Sequence, residues 1–152
     1  KLAVIGVSGP KMKHLPEDLN GVEILICNLD ESQAYFKTDL EDPYQLIPKW
    51  LEKGLNKIVI TAGKKGSYYF DGTEIKHQPA YLVDDEQVVD VTGAGDSFSS
   101  ALLHGLMTNE SMTQSIRYGA MSASLTIQSP YAVNPKLSIN LLKKELKKHE
   151  II

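Results

Sequence analysis

A single cysteine, Cys27, is all the thiol that this 152-residue chain carries, and that scarcity excludes an internal disulfide framework. It fits a reducing, cytoplasmic setting, and its place at the end of an apolar run marks it as a buried small hydrophobe rather than a reactive thiol. No apolar run approaches the roughly 18 residues of a membrane span and no signal peptide is legible, so neither secretion nor a membrane partner is expected. Net charge is low as well: 16 basic residues against 19 acidic ones leave −3 at pH 7. Such a balance exerts no general pull on nucleic acid, and any phosphate site must be local. Internal repeats and low-complexity tracts are absent. His14, His77, His104 and His149 stand apart without metal-ligand spacing, which predicts surface or packing roles.

What remains is ordinary globular composition, 42% hydrophobic and 23% charged, with room for one domain and a sizeable core. The chain opens on Lys1 and enters an apolar run at once, which predicts that it was cut from something longer. The runs Leu2–Val7 and Val22–Cys27, separated by a turn-rich linker, read as buried parallel strands, and Lys57–Thr61 as the next. Between them Asp30–Phe36 reads as a helix. A second helix starts at Asp42-Pro43 and carries Leu46, Ile47, Trp50 and Leu51 to Gly54, with Pro48 expected to kink it or delay its start. Ser67–Phe70, the Asp71-Gly72 turn and Thr73–Ile75 read as a β-hairpin, and Val88–Val91 as a further strand. Phe98, Ala101, Leu102, Gly105 and Leu106 then form a helical stripe expected to lie on the sheet, followed by helices over Ile116–Ile127 and Ser138–Glu150. Strands alternating with helices predict an α/β fold, layered around a mostly parallel sheet.

One segment stands out chemically. From Val88 to Phe98 an apolar run stops at Thr92-Gly93-Ala94-Gly95-Asp96 and continues into the amphipathic stripe. This is the layout of a helix N-terminus whose free amides receive an anion, with phosphate oxygens as natural guests of Gly93, Ala94 and Gly95. Asp96 would meet a bound phosphate as a like charge, a cost best explained if the carboxylate takes a proton from a nucleophile attacking that phosphate. The plainer alternative is a capping acid that favours the helix dipole. A dinucleotide fingerprint fails here because Phe98 stands where the third glycine belongs. A P-loop fails at Gly63-Lys64-Lys65-Gly66-Ser67, which has the residue types without the order and reads as a solvated turn.

Asp90 through Leu103, with its D-x-x-G-A-G-D core, resembles the second signature of the PfkB, or ribokinase-like, carbohydrate and nucleoside kinases. Asn28-Leu29-Asp30-Glu31 is similar to that family's N-x-x-E element, and Thr61-Ala62-Gly63-Lys64-Lys65-Gly66 to its T-x-G-x-x-G turn. The resemblance runs from about Leu2 to Leu137 and matches only the C-terminal half of a typical member. It therefore implies that residues 1–152 are the nucleotide-binding and catalytic part of a ribokinase-like domain, without the N-terminal sugar-binding part and the lid.

The activity that the resemblance implies is phosphoryl transfer from ATP to a hydroxymethyl group of a sugar or nucleoside. Asp96 would be the general base, and the Gly93, Ala94 and Gly95 amides the anion hole. Glu31 would act on magnesium through water with Asn28 nearby, while Thr61, Gly63 and Gly66 would line the nucleotide and the small-residue helix around Gly119–Ala123 would border the adenine. Asp90 and Thr92 resemble positions that hold a monovalent cation in many members. The loop Ser129–Pro135 departs from the pattern that supplies further carbonyl ligands, which leaves potassium dependence open; with Lys136-Leu137-Ser138 it is similar to a stretch of the pseudouridine kinase branch. A small-molecule substrate is implied, with ribose, fructose and pseudouridine among the candidate acceptors, together with a homodimer in the full-length protein and no activity in the isolated fragment. Two other classes remain: a non-catalytic nucleotide- or sugar-sensing module on the same fold, and, disfavoured by the failed fingerprint, an NAD-dependent oxidoreductase.

Overall fold

The apolar runs of the first half become the strands of one sheet. β1 (Leu2–Ile5), β2 (Val22–Asn28), β3 (Lys57–Thr61), β4 (Ser67–Phe70) and β5 (Ile75–Gln78) lie in that order in a five-stranded sheet. β2 is parallel to β1 and β3, whereas β4 runs antiparallel to β3, so the sheet is mixed. The computed structural model describes residues 1–150, in two compact units divided between His77 and Gln78.

In the first unit the connections are helical, as the strand order requires: α1 (Gly9–Met12), α2 (Leu29–Phe36) and α3 (Pro43–Leu51). Leu25 and Cys27 of β2 stand beside Ile58 and Ile60 of β3 and share a core with Leu46, Ile47 and Trp50 of α3. Burial of such side chains contributes roughly 1.5–3 kcal/mol each. That explains why α3 tolerates Pro48, whose ring removes the N–H that would meet the Tyr44 carbonyl. Its start is not delayed: the Asp42 carboxylate accepts the Tyr44 N–H at 2.9 Å, and the helix begins at Pro43. Trp50 stacks on Tyr35 with ring centres 4.5 Å apart, and its Nε1–H donates to the buried Ser32 hydroxyl at 2.8 Å.

Two strand expectations need correction. The hairpin after β4 forms, but its second strand begins at Ile75 rather than Thr73, because Asp71 captures Thr73 and Glu74. Its Oδ1 accepts the Thr73 N–H at 2.8 Å and the Glu74 N–H at 3.0 Å. Val88–Val91 is not a strand. The Val89 and Asp90 N–H groups both turn to the Ile127 carbonyl, at 2.8 and 3.3 Å, and Val89 and Val91 stay exposed. Without a ladder partner, an apolar run is no strand.

The second unit is helical: α4 (Ala94–Met107), α5 (Met112–Ile127) and α6 (Ile139–Glu150). α5 starts earlier than the periodicity suggests because the Ser111 hydroxyl accepts the Gln114 N–H at 3.1 Å. Within this unit α4 packs on α5. A Cβ at Gly105 would meet the Ser115 side chain, and one at Gly119 would lie 2.9 Å from the Phe98 carbonyl oxygen. Small residues thus let the two helices approach closely at Gly105 and Gly119. Leu142 and Leu146 of α6 are buried with Tyr118 and Met121, and Lys143, Lys144, Lys147 and Lys148 face solvent. Among the described residues no helix is long and apolar enough to cross a membrane.

Candidate active site

The carboxyl ends of parallel strands are where open α/β sheets place ligands. At the end of β2, Asn28 leaves the sheet and caps α2. Its Oδ1 accepts the Glu31 N–H at 2.8 Å, and Glu31 Oε2 in return accepts the Asn28 N–H at 2.9 Å. This capping box fixes the Glu31 carboxylate, which is buried against Gly6 just beyond β1. A Cβ at Gly6 would lie 2.9 Å from Glu31 Cδ and collide with Oε2, so the missing side chain is the space that the carboxylate occupies. Parallel register sets Thr61, the last residue of β3, beside Asn28. The chain then turns tightly through Gly63–Lys65, closed by the Ala62 N–H donating to the Gly66 carbonyl at 2.8 Å. His77 Nε2 lies 2.7 Å from the Lys65 carbonyl oxygen on the same turn.

In the second unit the Asp90 carboxylate accepts the Thr92 N–H at 2.9 Å. The Thr92 backbone and hydroxyl hold the Asp90 carboxyl below the usual carboxylate range. Gly93 follows with φ of 82°, a left-handed conformation that costs a side-chain-bearing residue roughly 1–2 kcal/mol. Its open face meets the backbone of Ala132, from the loop that departs from the ribokinase pattern. Gly93 is the N-cap of α4 and brings no side chain to the first amides. The Ala94 N–H bends back to the Val91 carbonyl at 3.3 Å, whereas the Gly95 N–H, at the second helical position, has no intrahelical acceptor. Asp96 stands exposed in the first turn. The expected cradle of three amides is therefore narrower here, because that of Ala94 is shared with Val91.

The structure brings Asn28, Glu31, Thr61, Gly63 and Gly66 to one end of the sheet, and gathers Asp90, Thr92, Gly93, Ala94, Gly95 and Asp96 in one turn of the helical unit. Sequence reasoning missed Gly6, for which a glycine ending an apolar run was the available signal. It also missed Ser97, Ser122 and Thr126, three hydroxyls linked behind the turn, of which Ser122 and Thr126 stand four apart on one helix face. Among the described residues no group of three or more His, Cys, Asp or Glu side chains forms a metal cage. A single fixed carboxylate such as Glu31 suits magnesium, which keeps several waters and is completed by substrate phosphates.

The model of the family described as pfkB family carbohydrate kinase matches residues 2–139. The ribokinase of Lactococcus lactis is 34% identical over 93% of this chain and 44% of its own length. The pseudouridine kinase of Escherichia coli is 28% identical over 88% of this chain and 43% of its own. The structure of Arabidopsis thaliana ribokinase complexed with ribose and ATP superposes with a TM-score of 0.76 at 28% identity, covering 87% of this chain and 43% of that one. The fold is thus the ribokinase-like α/β fold, and the chain spans less than half the length of the relatives it matches. By sequence and by fold, the chain belongs to the pfkB family of carbohydrate kinases.

Proposed function

We propose that the protein containing this chain transfers the γ-phosphate of ATP to a hydroxymethyl group of a sugar or nucleoside. The observation that carries this reading is the turn Gly93–Asp96: a long helix opens on a glycine cap, leaves amide donors uncapped and sets an exposed carboxylate beside them. Asp96 takes the proton of the acceptor hydroxyl as its oxygen bonds to the γ-phosphorus and the bond from that phosphorus to the bridging oxygen of the leaving ADP breaks. Oriented bases of this kind are worth about 10² to 10⁴ in rate. The Gly93 and Gly95 amides, with Ala94 once its bond to Val91 opens, face the charge developing on the transferred group. Thr61, Gly63 and Gly66 follow the nucleotide along the strand-end turn.

Glu31 would hold magnesium through water, with Asn28 fixing the carboxylate by the capping box. Bound there, the ion would neutralise charge on the phosphates. Asp90 and Thr92 would hold a monovalent cation such as potassium. The acceptor class reaches from ribose and fructose to pseudouridine, in keeping with relatives of both kinds. The test is Asp96→Asn in the intact protein, assayed with ATP against a panel of sugars and nucleosides. Transfer should fall by roughly 10² to 10⁴ while ATP still binds. Near-normal turnover by that variant would refute the assignment of the base.

A further inference from the structure

The catalytic turn is held from behind by hydroxyl groups of α5. Ser97 follows Asp96 in the first turn of α4, and its own N–H donates to the Gly93 carbonyl at 2.9 Å. Its hydroxyl lies 2.6 Å from that of Ser122 and accepts the Thr126 hydroxyl at 2.8 Å. Ser122 and Thr126 are buried and Ser97 is half-buried, so the three form a chain, largely withdrawn from water, in which each group depends on the others. One residue beyond Thr126, the Ile127 carbonyl accepts the Val89 and Asp90 N–H groups, and the Ala132 backbone abuts Gly93. The last turn of α5 and the loop after it therefore grip the segment from Val89 to Ser97 on both sides of the glycines.

We infer that Ser97, Ser122 and Thr126 are positioning residues for the proposed phosphoryl transfer, fixing the first turn of α4 so that the Gly95 amide and Asp96 are preorganised. Packing alone would be met by alanine and valine at α5 positions facing a helix. Two buried hydroxyls and the half-buried one of Ser97 instead carry a desolvation cost that their mutual bonds offset, and those bonds converge on the residue after the base. Held this way, the turn resists the small displacement that lowers a rate steeply without touching substrate binding.

The inference rests on the reading of Asp96 as base, and the experiment separates the two. Thr126→Val, Thr126→Ser, Ser122→Ala and Asp96→Asn are made in the intact protein. Each is followed by kcat and KM for ATP and by amide hydrogen exchange over residues 93–97. Thr126→Val and Ser122→Ala should lower kcat by roughly 10- to 100-fold with KM for ATP little changed, and should speed exchange in the turn. Thr126→Ser, which keeps the hydroxyl, should restore both. If the valine variant fails to fold, Ser122→Ala with Thr126→Ser decides. Parent-like kcat and exchange in Ser122→Ala, or a serine variant as impaired as the valine one, overturns the inference while leaving Asp96 untouched. An active Asp96→Asn overturns the assignment of the base whatever the exchange shows.

Discussion

Replacing Gly95 by alanine separates what the fold needs from what a ligand needs. A Cβ built at Gly95 meets nothing within 4 Å, the residue is exposed, and it lies inside α4 with no positive φ. The methyl group should therefore stabilise the folded chain by about 0.5–1 kcal/mol, through the lower backbone entropy of the unfolded state. Gly93 is the contrasting case. Its φ of 82° costs alanine about 1–2 kcal/mol. Its Cβ would also lie 2.9 Å from the carbonyl carbon of Ala132 and 3.1 Å from the Ala132 Cα, backbone atoms that cannot swing aside. Overpacking of that kind adds about 1–3 kcal/mol, so Gly93→Ala should lose roughly 2–5 kcal/mol in all. Urea unfolding of the intact protein measures both shifts, and steady-state kinetics with ATP measures the function. Gly95→Ala should be as stable as the parent or more so, yet lose about 10²-fold in transfer, because the methyl stands where an anion would meet the amide. If Gly95→Ala keeps full activity, the space over the turn is not a phosphate site. Destabilisation equal to that of Gly93→Ala would refute the structural half of the argument.

Two further outcomes follow from the first unit. The Asp71 carboxyl is held well below the usual range, chiefly by the Lys76 ammonium at 2.7 Å and then by the Glu74 and Thr73 N–H groups and the Thr73 hydroxyl. A depressed folded value means that this stabilisation is complete above the unfolded carboxylate range and is lost as pH falls from about 4 towards the folded value; urea midpoints from pH 7 to 3 should thus flatten in Asp71→Asn, and an unchanged slope would refute it. Burial pushes the Cys27 thiol up to about 12, so a thiol reagent at pH 8 should label this lone cysteine only as fast as the unit opens. Complete labelling within the mixing time would show that Cys27 is not in the core.

How far the sequence could be read depended on whether a signal was local. β3 and β4 were legible residue for residue, since each is a short β-rich run between turn residues. Asn28 and Glu31 were legible as a pair through the N-x-x-E resemblance, which is written in four consecutive residues, whereas the capping box that joins them is seen only in the structure. Gly6 was not, since its meaning depends on a carboxylate 25 positions away that only the parallel crossover brings to it. Val88–Val91 misled for the complementary reason. Its composition is that of a strand, but a strand needs a ladder partner, and the Ile127 carbonyl takes two of its donors first. The three hydroxyls of Ser97, Ser122 and Thr126 were invisible as a group, because serine and threonine inside helices carry no periodic signal of their own.

The helix N-termini of the two units treat their acids in opposite ways. α2, α3, α5 and α6 each have a side-chain oxygen of the preceding residue, from Asn28, Asp42, Ser111 and Ser138, that accepts an amide of the first turn. The positive end of each is thereby partly satisfied from within. α2 goes further, because Glu31 reaches back to the Asn28 N–H, so its carboxylate is bound into the fold and buried before any ligand arrives. An anion would gain little there, and a cation reached through water gains a fixed negative partner. α4 reverses each of these choices. Its cap is a glycine with no side chain to offer, and its acid at the third helical position stays exposed, with no capping threonine or serine to answer. Leaving amides unsatisfied costs stability unless something else completes them. The same physics that makes Asn28 and Glu31 a closed structural pair thus makes Gly93 and Asp96 an open one, suited to an anion that arrives and leaves.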